Sequence, residues 1–215
     1  MKIKWLGHSA FLITSANNIK IVTDPYTTGN GINYSPINEI SDIVTVSHVH
    51  SDHSNISAIK GSPIILREKG TYLVKGVEIK AVPVHHDGTL GSQRGSNLVF
   101  CLKLDGILVC HAGDLGHILS SRQIEEIGPV DVLMLPVGGF YTLNAQEAHL
   151  VAQSLKPHIV IPMHYKTPGT EYSIAGVQLF LKDLQNVRQL DACEIELSNT
   201  GLPYITETIV LKSAH

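Results

Sequence analysis

Short apolar runs rich in β-branched residues occupy residues 3–6, 10–14, 19–23, 43–46, 64–66, 77–82, 98–104 and 107–110, a pattern that predicts strands. Turn signals separate them, among them Asn17-Asn18, Lys75-Gly76 and Asp105-Gly106. The last sits between two apolar runs and is a strong hairpin signal. Later the spacing becomes helical, over residues 120–127 (ended by Gly128-Pro129), 145–155 (ended by Lys156-Pro157) and 174–184. Mostly apolar strands at 130–135 and 158–161 bracket the second helix, an order that suits a sheet covered by helices. The longest irregular stretch runs from Tyr26 to Asn38, and long loops of this kind often act as lids or binding loops.

With 215 residues and 43% hydrophobic content, the chain can bury a large core, and one domain spanning 1–215 is expected. Sixteen basic against nineteen acidic residues give a net charge of −3, with no adjacent Lys or Arg pair, so no phosphate-tracking surface and no nucleic-acid partner are expected. Cys101, Cys110 and Cys193 are an odd, widely spaced set. They read as three small buried hydrophobes in a reducing compartment. The N-terminus lacks an uninterrupted apolar core of signal-peptide type, and no stretch approaches the ~18 apolar residues of a membrane span. A cytoplasmic protein without membrane insertion follows. The oligomeric state leaves no trace in the sequence.

Histidine is the compositional outlier, with twelve in the chain, several at the ends of predicted strands. His48-Val49-His50-Ser51-Asp52-His53 places four metal-binding side chains within six residues, straight after the run at 43–46. Imidazoles with a carboxylate suit zinc and comparable divalent ions. An extended dipeptide step returns His48 and His50 to one face, and a turn at Ser51 lets Asp52 and His53 face elsewhere. A helix cap near Asn55 would need one such residue and not four.

Three further strand ends carry candidates: His85-His86-Asp87, His111-Ala112-Gly113-Asp114 and His164. Ligands converge readily where strands give way to loops. The expected arrangement puts His48, His50 and His86 on one ion and Asp52, His53 and His164 on a second, with Asp114 bridging. Spacing alone does not separate His85 from His86; the two-metal arrangement takes His86. His8, His111 and His117 are candidates for orienting a ligand or contacting substrate, against packed or surface roles. His149, His158 and His215 read as structural or exposed. Asp24 reads as a carboxylate that fixes the tautomer of a ligating histidine, with a turn role as the alternative. Gly138-Gly139 is a flexible turn that gives substrate access to backbone amides, and Tyr141, Tyr165 and Lys166 are candidate substrate contacts.

Two divalent ions roughly 3.5 to 4 Å apart activate water at neutral pH and polarise a carbonyl or phosphoryl oxygen. Zinc is the preferred metal, with manganese or iron as alternatives. Asp52 or Asp114 is the candidate to accept and return the proton.

In order along the chain, HVHSDH, HHD, HAGD and PMHY resemble the metallo-β-lactamase-fold hydrolase superfamily, in which an HxHxDH motif is followed by a histidine, a glycine-aspartate and a final histidine. The resemblance covers roughly residues 1 to 166. The strings WLGH, GDLGH, PVGG and IPMHYKT are most similar to those of uncharacterised bacterial and archaeal zinc-dependent hydrolases; ascorbate-phosphate lactonases and phospholipase-D-like phosphodiesterases are similar relatives. The resemblance implies an α/β fold, a four-layer αββα sandwich with the site at one edge of its paired sheets. Histidine stands at position 50, where redox relatives tend to carry glutamate, and there is no basic arm and no appended flavin or rubredoxin domain. The expected activity is therefore metal-dependent hydrolysis of an ester, lactone or phosphodiester bond in a small molecule. A diiron oxidoreductase and a non-catalytic metal-dependent sensor or scaffold are the rivals.

Overall fold

A computed structural model describes residues 1–214; His215 lies outside the described residues. One sheet is formed by β1 (Lys2–Gly7), β2 (Ala10–Thr14), β3 (Lys20–Thr23), β4 (Ile43–Thr45), β5 (Ile64–Leu66) and β13 (Glu194–Glu196), in the order β13-β1-β2-β3-β4-β5. The other contains β6 (Gly70–Val74), β7 (Val77–His85), β8 (Ser96–Leu104), β9 (Ile107–His111), β10 (Val132–Pro136), β11 (Ile159–Met163), β12 (Val187–Gln189) and β14 (Glu207–Val210), in the order β12-β14-β11-β10-β9-β8-β7-β6. The three α-helices among the described residues are α1 (Ser121–Ile127), α2 (Ala145–Leu155) and α3 (Gln178–Leu181).

Strand periodicity explains the layering. Along β1 to β4, Ile3, Trp5, Phe11, Ile13, Ile21 and Ile43 join the main core between the sheets, while Leu6, Ala10, Leu12, Val22 and Val44 join a second core on the opposite face. Alternate residues point to opposite faces, so a sheet buried on both sides reads as an unbroken apolar run. The second core is closed by Tyr26, Ile32, Tyr34 and Ile37 from the long irregular stretch. The αββα layering is thus met with an outer layer on this side made of loop and a single 3-10 turn, Ile56–Ala58.

That stretch is tied down by its own side chains. Tyr26 Oη donates to Leu6 O and Ser35 O, at 3.2 and 2.8 Å, and Tyr34 Oη lies 2.6 Å from Thr167 Oγ1. Four buried side chains and these bonds make it a wall.

Both Asp105-Gly106 and Lys75-Gly76 close two-residue hairpins, pairing Leu104 with Ile107 and Val74 with Val77. Positive φ at both central residues in each turn matches the twist of the flanking strands. Helices α1 and α2 carry capping boxes built on Ser120 with Gln123 and on Asn144 with Glu147. Helix α3 falls short of the expected 174–184: its first turn has no capping side chain, and one turn suffices to bury Phe180 and Leu181. The strands β6, β12 and β13 are short and largely exposed edges, so they lack the apolar signal. β14 is absent from the expected elements although its Thr208-Ile209-Val210 run carries it.

Cys101 and Cys110 are buried and face each other across β8 and β9. Cys193 is only half-buried, which corrects the expectation of three buried thiols. Among the described residues no helix is long and apolar enough to cross a membrane.

Candidate metal centre

Strand ends from both sheets deliver the cluster. After β4 the chain turns tightly: His53 N donates to His50 O at 3.0 Å, and Ser54 Oγ donates to His50 O at 2.8 Å. This turn presents His48, His50, Asp52 and His53 together. His86 follows β7, Asp114 follows β9 by a short turn, His164 follows β11, His8 follows β1 and Asp24 follows β3.

Asp114 lies at the centre. Its Oδ2 is 3.1 Å from His86 Nε2, 3.3 Å from His164 Nε2 and 3.8 Å from His48 Nε2, and its Oδ1 is 3.2 Å from His53 Nε2. Two groups of ligand atoms, each mutually within 4.8 Å, flank it: His48, His50 and His86 on one side, and Asp52, His53, His164 and His8 on the other. The residues expected to share each ion are brought together, and His8 joins the second group. Its Nε2 is 3.3 Å from Asp52 Oδ2, and its ring centre is 4.2 Å from that of His164.

Hydrogen bonds fix which ring nitrogens can bind metal. Asp24, fully buried, accepts from Ser47 N at 2.8 Å, from Ser47 Oγ and from His53 Nδ1 at 2.9 Å. Since Ser47 gives its proton to Asp24, its oxygen accepts from His48 Nδ1 at 2.9 Å. Both imidazoles therefore carry hydrogen on Nδ1 and direct Nε2 toward Asp114, where His48 offers a lone pair and His53 offers one once an ion takes the place of its second proton. His48 Nε2, His53 Nε2 and Asp114 Oδ1 are among the buried atoms that make no hydrogen bond, together with both ring nitrogens of His8 and Nδ1 of His86 and of His164. Buried polar atoms are costly unless satisfied, and lone pairs of nitrogen and carboxylate oxygen converging at such distances fit a borderline divalent ion.

The charge balance points the same way. Burial lowers the pKa of His48 to about 3, with His53 adding to the effect. Burial opposes ionisation of Asp114, but His164 and His53 outweigh it and hold the carboxyl well below its usual range. At His53 burial acts against the charged ring, yet Asp114, Asp24 and Asp52 win and push the pKa well above 6.5. Without metal, protons on the rings must balance three buried or half-buried carboxylates; an ion would replace them.

Phase along β7 separates His85 from His86. Val82, Val84 and His86 are buried, and the intervening Pro83 and His85 are more exposed, so His86 faces inward. His85 N donates to His117 Nε2 at 3.1 Å, which ties His117 to the end of β7, and His117 belongs to neither group of ligand atoms. His111 is fully buried with Nε2 2.8 Å from Ser9 O, while Gly113 N donates to its Nδ1; it locks the end of β9 to the opposite sheet. His149 stacks on Phe180 at 4.5 Å, and His158 Nδ1 donates to Pro203 O at 2.7 Å.

Asp114 is aimed by its own turn. Asn97 Oδ1 accepts from Asp114 N at 3.0 Å, and Asn97 Nδ2 donates to Ala112 O at 2.9 Å. Gly113, with φ of +55°, has no room for a side chain: a Cβ there would meet Asn97 Oδ1 at 2.4 Å and Ser47 Cβ at 2.5 Å.

A cavity of about 390 Å³ opens over the cluster, lined by His50, Asp52, Asp114 and His164 together with Arg94, Tyr141 and Tyr172. Its size lies in the ~300–1,000 Å³ range of small-molecule sites. Tyr141 thus reaches the cavity as expected. Tyr165 instead packs on Trp5, with ring centres 5.3 Å apart, and Lys166 Nζ donates to Tyr172 O at 3.0 Å. Arg94 and Tyr172 carry no sequence signal beyond residue type. Ser47 could have been suspected, since it directly precedes the motif. A separate groove of about 430 Å³ beside α2 is lined by His149, Phe180 and Leu184 and holds no grouping of metal-ligating side chains among the described residues.

A family model described as a beta-lactamase superfamily domain matches residues 2–164. A UPF0173 metal-dependent hydrolase from Pyrococcus abyssi is 34% identical over 194 residues, covering 78% of this chain and 85% of that protein. Among solved structures, a proposed Zn-dependent hydrolase of the metallo-beta-lactamase superfamily from Thermotoga maritima is 37% identical with a TM-score of 0.81, covering 98% of this chain and 97% of that one. Igni18, described as a metallo hydrolase from Ignicoccus hospitalis, shares the fold at 24% identity, a TM-score of 0.61 and 80% coverage of this chain.

Proposed function

The chain belongs to the beta-lactamase superfamily, among its UPF0173 metal-dependent hydrolases, and from that premise we propose that it hydrolyses an ester, lactone or phosphodiester bond in a small molecule with two divalent ions, zinc preferred. The observation that carries this reading is the set of buried, unpartnered Nε2 atoms of His48 and His53 turned toward Asp114 beneath a 390 Å³ cavity. His48, His50 and His86 would hold one ion and Asp52, His53 and His164 the other, with Asp114 shared. Bound ions supply Lewis acidity and a water nucleophile at neutral pH.

The chain's own residues divide the remaining work. Asp114 is committed to four imidazoles, so its role is to hold the two halves in register. Asp52 is half-exposed and lines the cavity, which makes it the group to accept a proton from the attacking water and return it to the leaving group. Tyr172 lies beside it; burial, then Asp52, push the phenol pKa up, so its hydroxyl stays a donor at neutral pH. On this reading residues 1–215 act as one domain, in the cytoplasm, on a diffusible substrate.

Zinc-loaded protein should turn over at least one member of a panel of aryl esters, lactones and phosphodiesters, and lose that activity in Asp52→Asn. Protein holding two ions that hydrolyses no member of the panel would overturn the reading. Iron as the bound metal with a visible absorption band would favour the diiron oxidoreductase instead.

A further inference from the structure

The chain is acidic overall, with a net charge of −3, yet the openings onto the cluster carry cations. Arg94 lines the cavity over the cluster. It also lines an adjoining cleft of about 520 Å³, in which Arg67 and Lys69 accompany it beside His48 and His50, and Glu68 is the carboxylate in the wall. Arg94 is therefore shared by the two spaces. Among the described residues no carboxylate lies within 4.0 Å of the cationic group of Arg67, Lys69 or Arg94.

Arg94 is also held in place. Asp87, the residue after His86, accepts from Thr89 N, Thr89 Oγ1 and Gly91 N through Oδ1, at 2.8, 2.7 and 3.0 Å. Through Oδ2 it accepts from Gln93 N and Arg94 N at 3.0 and 2.8 Å. One carboxylate thus ties the 87–94 turn, so the strand end that delivers His86 also sets Arg94. Its guanidinium carbon stands 5.5 Å from the centre of the Tyr141 ring, a cation–π contact that limits the side chain further. A planar guanidinium without a carboxylate partner, pre-positioned beside a small-molecule cavity, suits bidentate capture of a carboxylate or phosphate group.

Resting on the hydrolase reading, we propose that the substrate is an anionic small molecule whose carboxylate or phosphate group is anchored by Arg94 at the junction of the two clefts, with the scissile bond over the metal cluster. Arg67 and Lys69 raise the local potential for that group without being tied to it. Loss of the charge-assisted pair should weaken capture roughly ten- to hundredfold.

The test compares zinc-loaded wild type, Arg94→Gln and Arg94→Lys on three matched aryl esters: 4-nitrophenyl butyrate, the 4-nitrophenyl monoester of glutarate, and 4-nitrophenyl 4-phosphonobutanoate. Wild type should prefer a charged ester, and Arg94→Gln should lower that preference ten- to hundredfold through KM, with Arg94→Lys between the two. The charged ester with the lower KM distinguishes carboxylate from phosphate chemistry. Calorimetric titration with glutarate and with propylphosphonate supplies a readout independent of turnover. Absence of turnover on every ester would count against the hydrolase reading, while weakened anion binding in Arg94→Gln would still support the anchor. Equal anion binding by wild type and Arg94→Gln, or an unchanged ester preference, would overturn it.

Discussion

Replacing Asp24 by Asn tests the cluster through a residue that touches no cavity. Asp24 is fully buried at φ of +40°, a region Asn tolerates, so the backbone and volume should survive. The chemistry changes at one atom. In the wild type, Oδ2 accepts from Ser47 Oγ and His53 Nδ1 and Oδ1 accepts from Ser47 N. An amide nitrogen facing His53 donates where a proton already sits; the imidazole must then move its hydrogen to Nε2, which removes the lone pair aimed at Asp114. The opposite amide orientation turns N–H against Ser47 N–H and leaves a buried donor unpaired, at about 1–3 kcal/mol. Either way the group holding His53 loses a ligand or its support. Such changes typically cost 10- to 100-fold in metal affinity, about 1.4–2.7 kcal/mol. Competition against a chromophoric chelator should show one ion weakened by that factor, with the far-ultraviolet circular dichroism of the metal-free protein unchanged. Wild-type affinity for both ions in Asp24→Asn would refute the tautomer argument.

His86→Ala should lose an ion while His85→Ala keeps wild-type stoichiometry, measured by elemental analysis of purified protein; the reverse would contradict the phase of β7. Gly138→Ala should destabilise the protein by about 1–3 kcal/mol and weaken metal binding, since a Cβ there meets His164 O at 2.2 Å; denaturant unfolding with and without zinc reads both effects. The metal-free protein should be most stable near pH 6.5. Burial lowers the folded pKa of His8 to about 4, so below 6.5 the unfolded chain binds more protons and stability falls, by about 3 kcal/mol for this group once pH passes 4. His53 has its folded pKa raised by Asp114 and Asp24 against burial, so its contribution, complete below 6.5, is lost as pH rises through the folded value. Denaturant midpoints between pH 4.5 and 9 that climb steadily or stay flat would contradict that balance.

Much of the centre is legible in the sequence because its chemistry is local. Four candidate ligands in six residues need no tertiary information, and the β-branched run of β4 sets where they fall. His86 needs the alternation of Val82 and Val84 to be extended past His85, and that phase is readable once β7 is known to run to His85. His8 was harder, since a lone histidine after a strand carries no pattern; its place beside Asp52 depends on β1 lying in the same sheet as β4. Arg94 lies beyond sequence reasoning altogether. Its position comes from five hydrogen bonds to Asp87, and nothing in GTLGSQRG announces that closure. Edge strands such as β13 escaped for a different reason: Ile195 is the one buried side chain in its three residues, too little signal for a period of two.

Metal content per chain, measured for wild type and Asp114→Ala after reconstitution with zinc, tests the central claim most directly. Two ions in wild type falling to one or none in Asp114→Ala would be the result expected of a carboxylate shared between two histidine groups. A wild type that binds no ion, or an Asp114→Ala protein that keeps two at unchanged affinity, would contradict it.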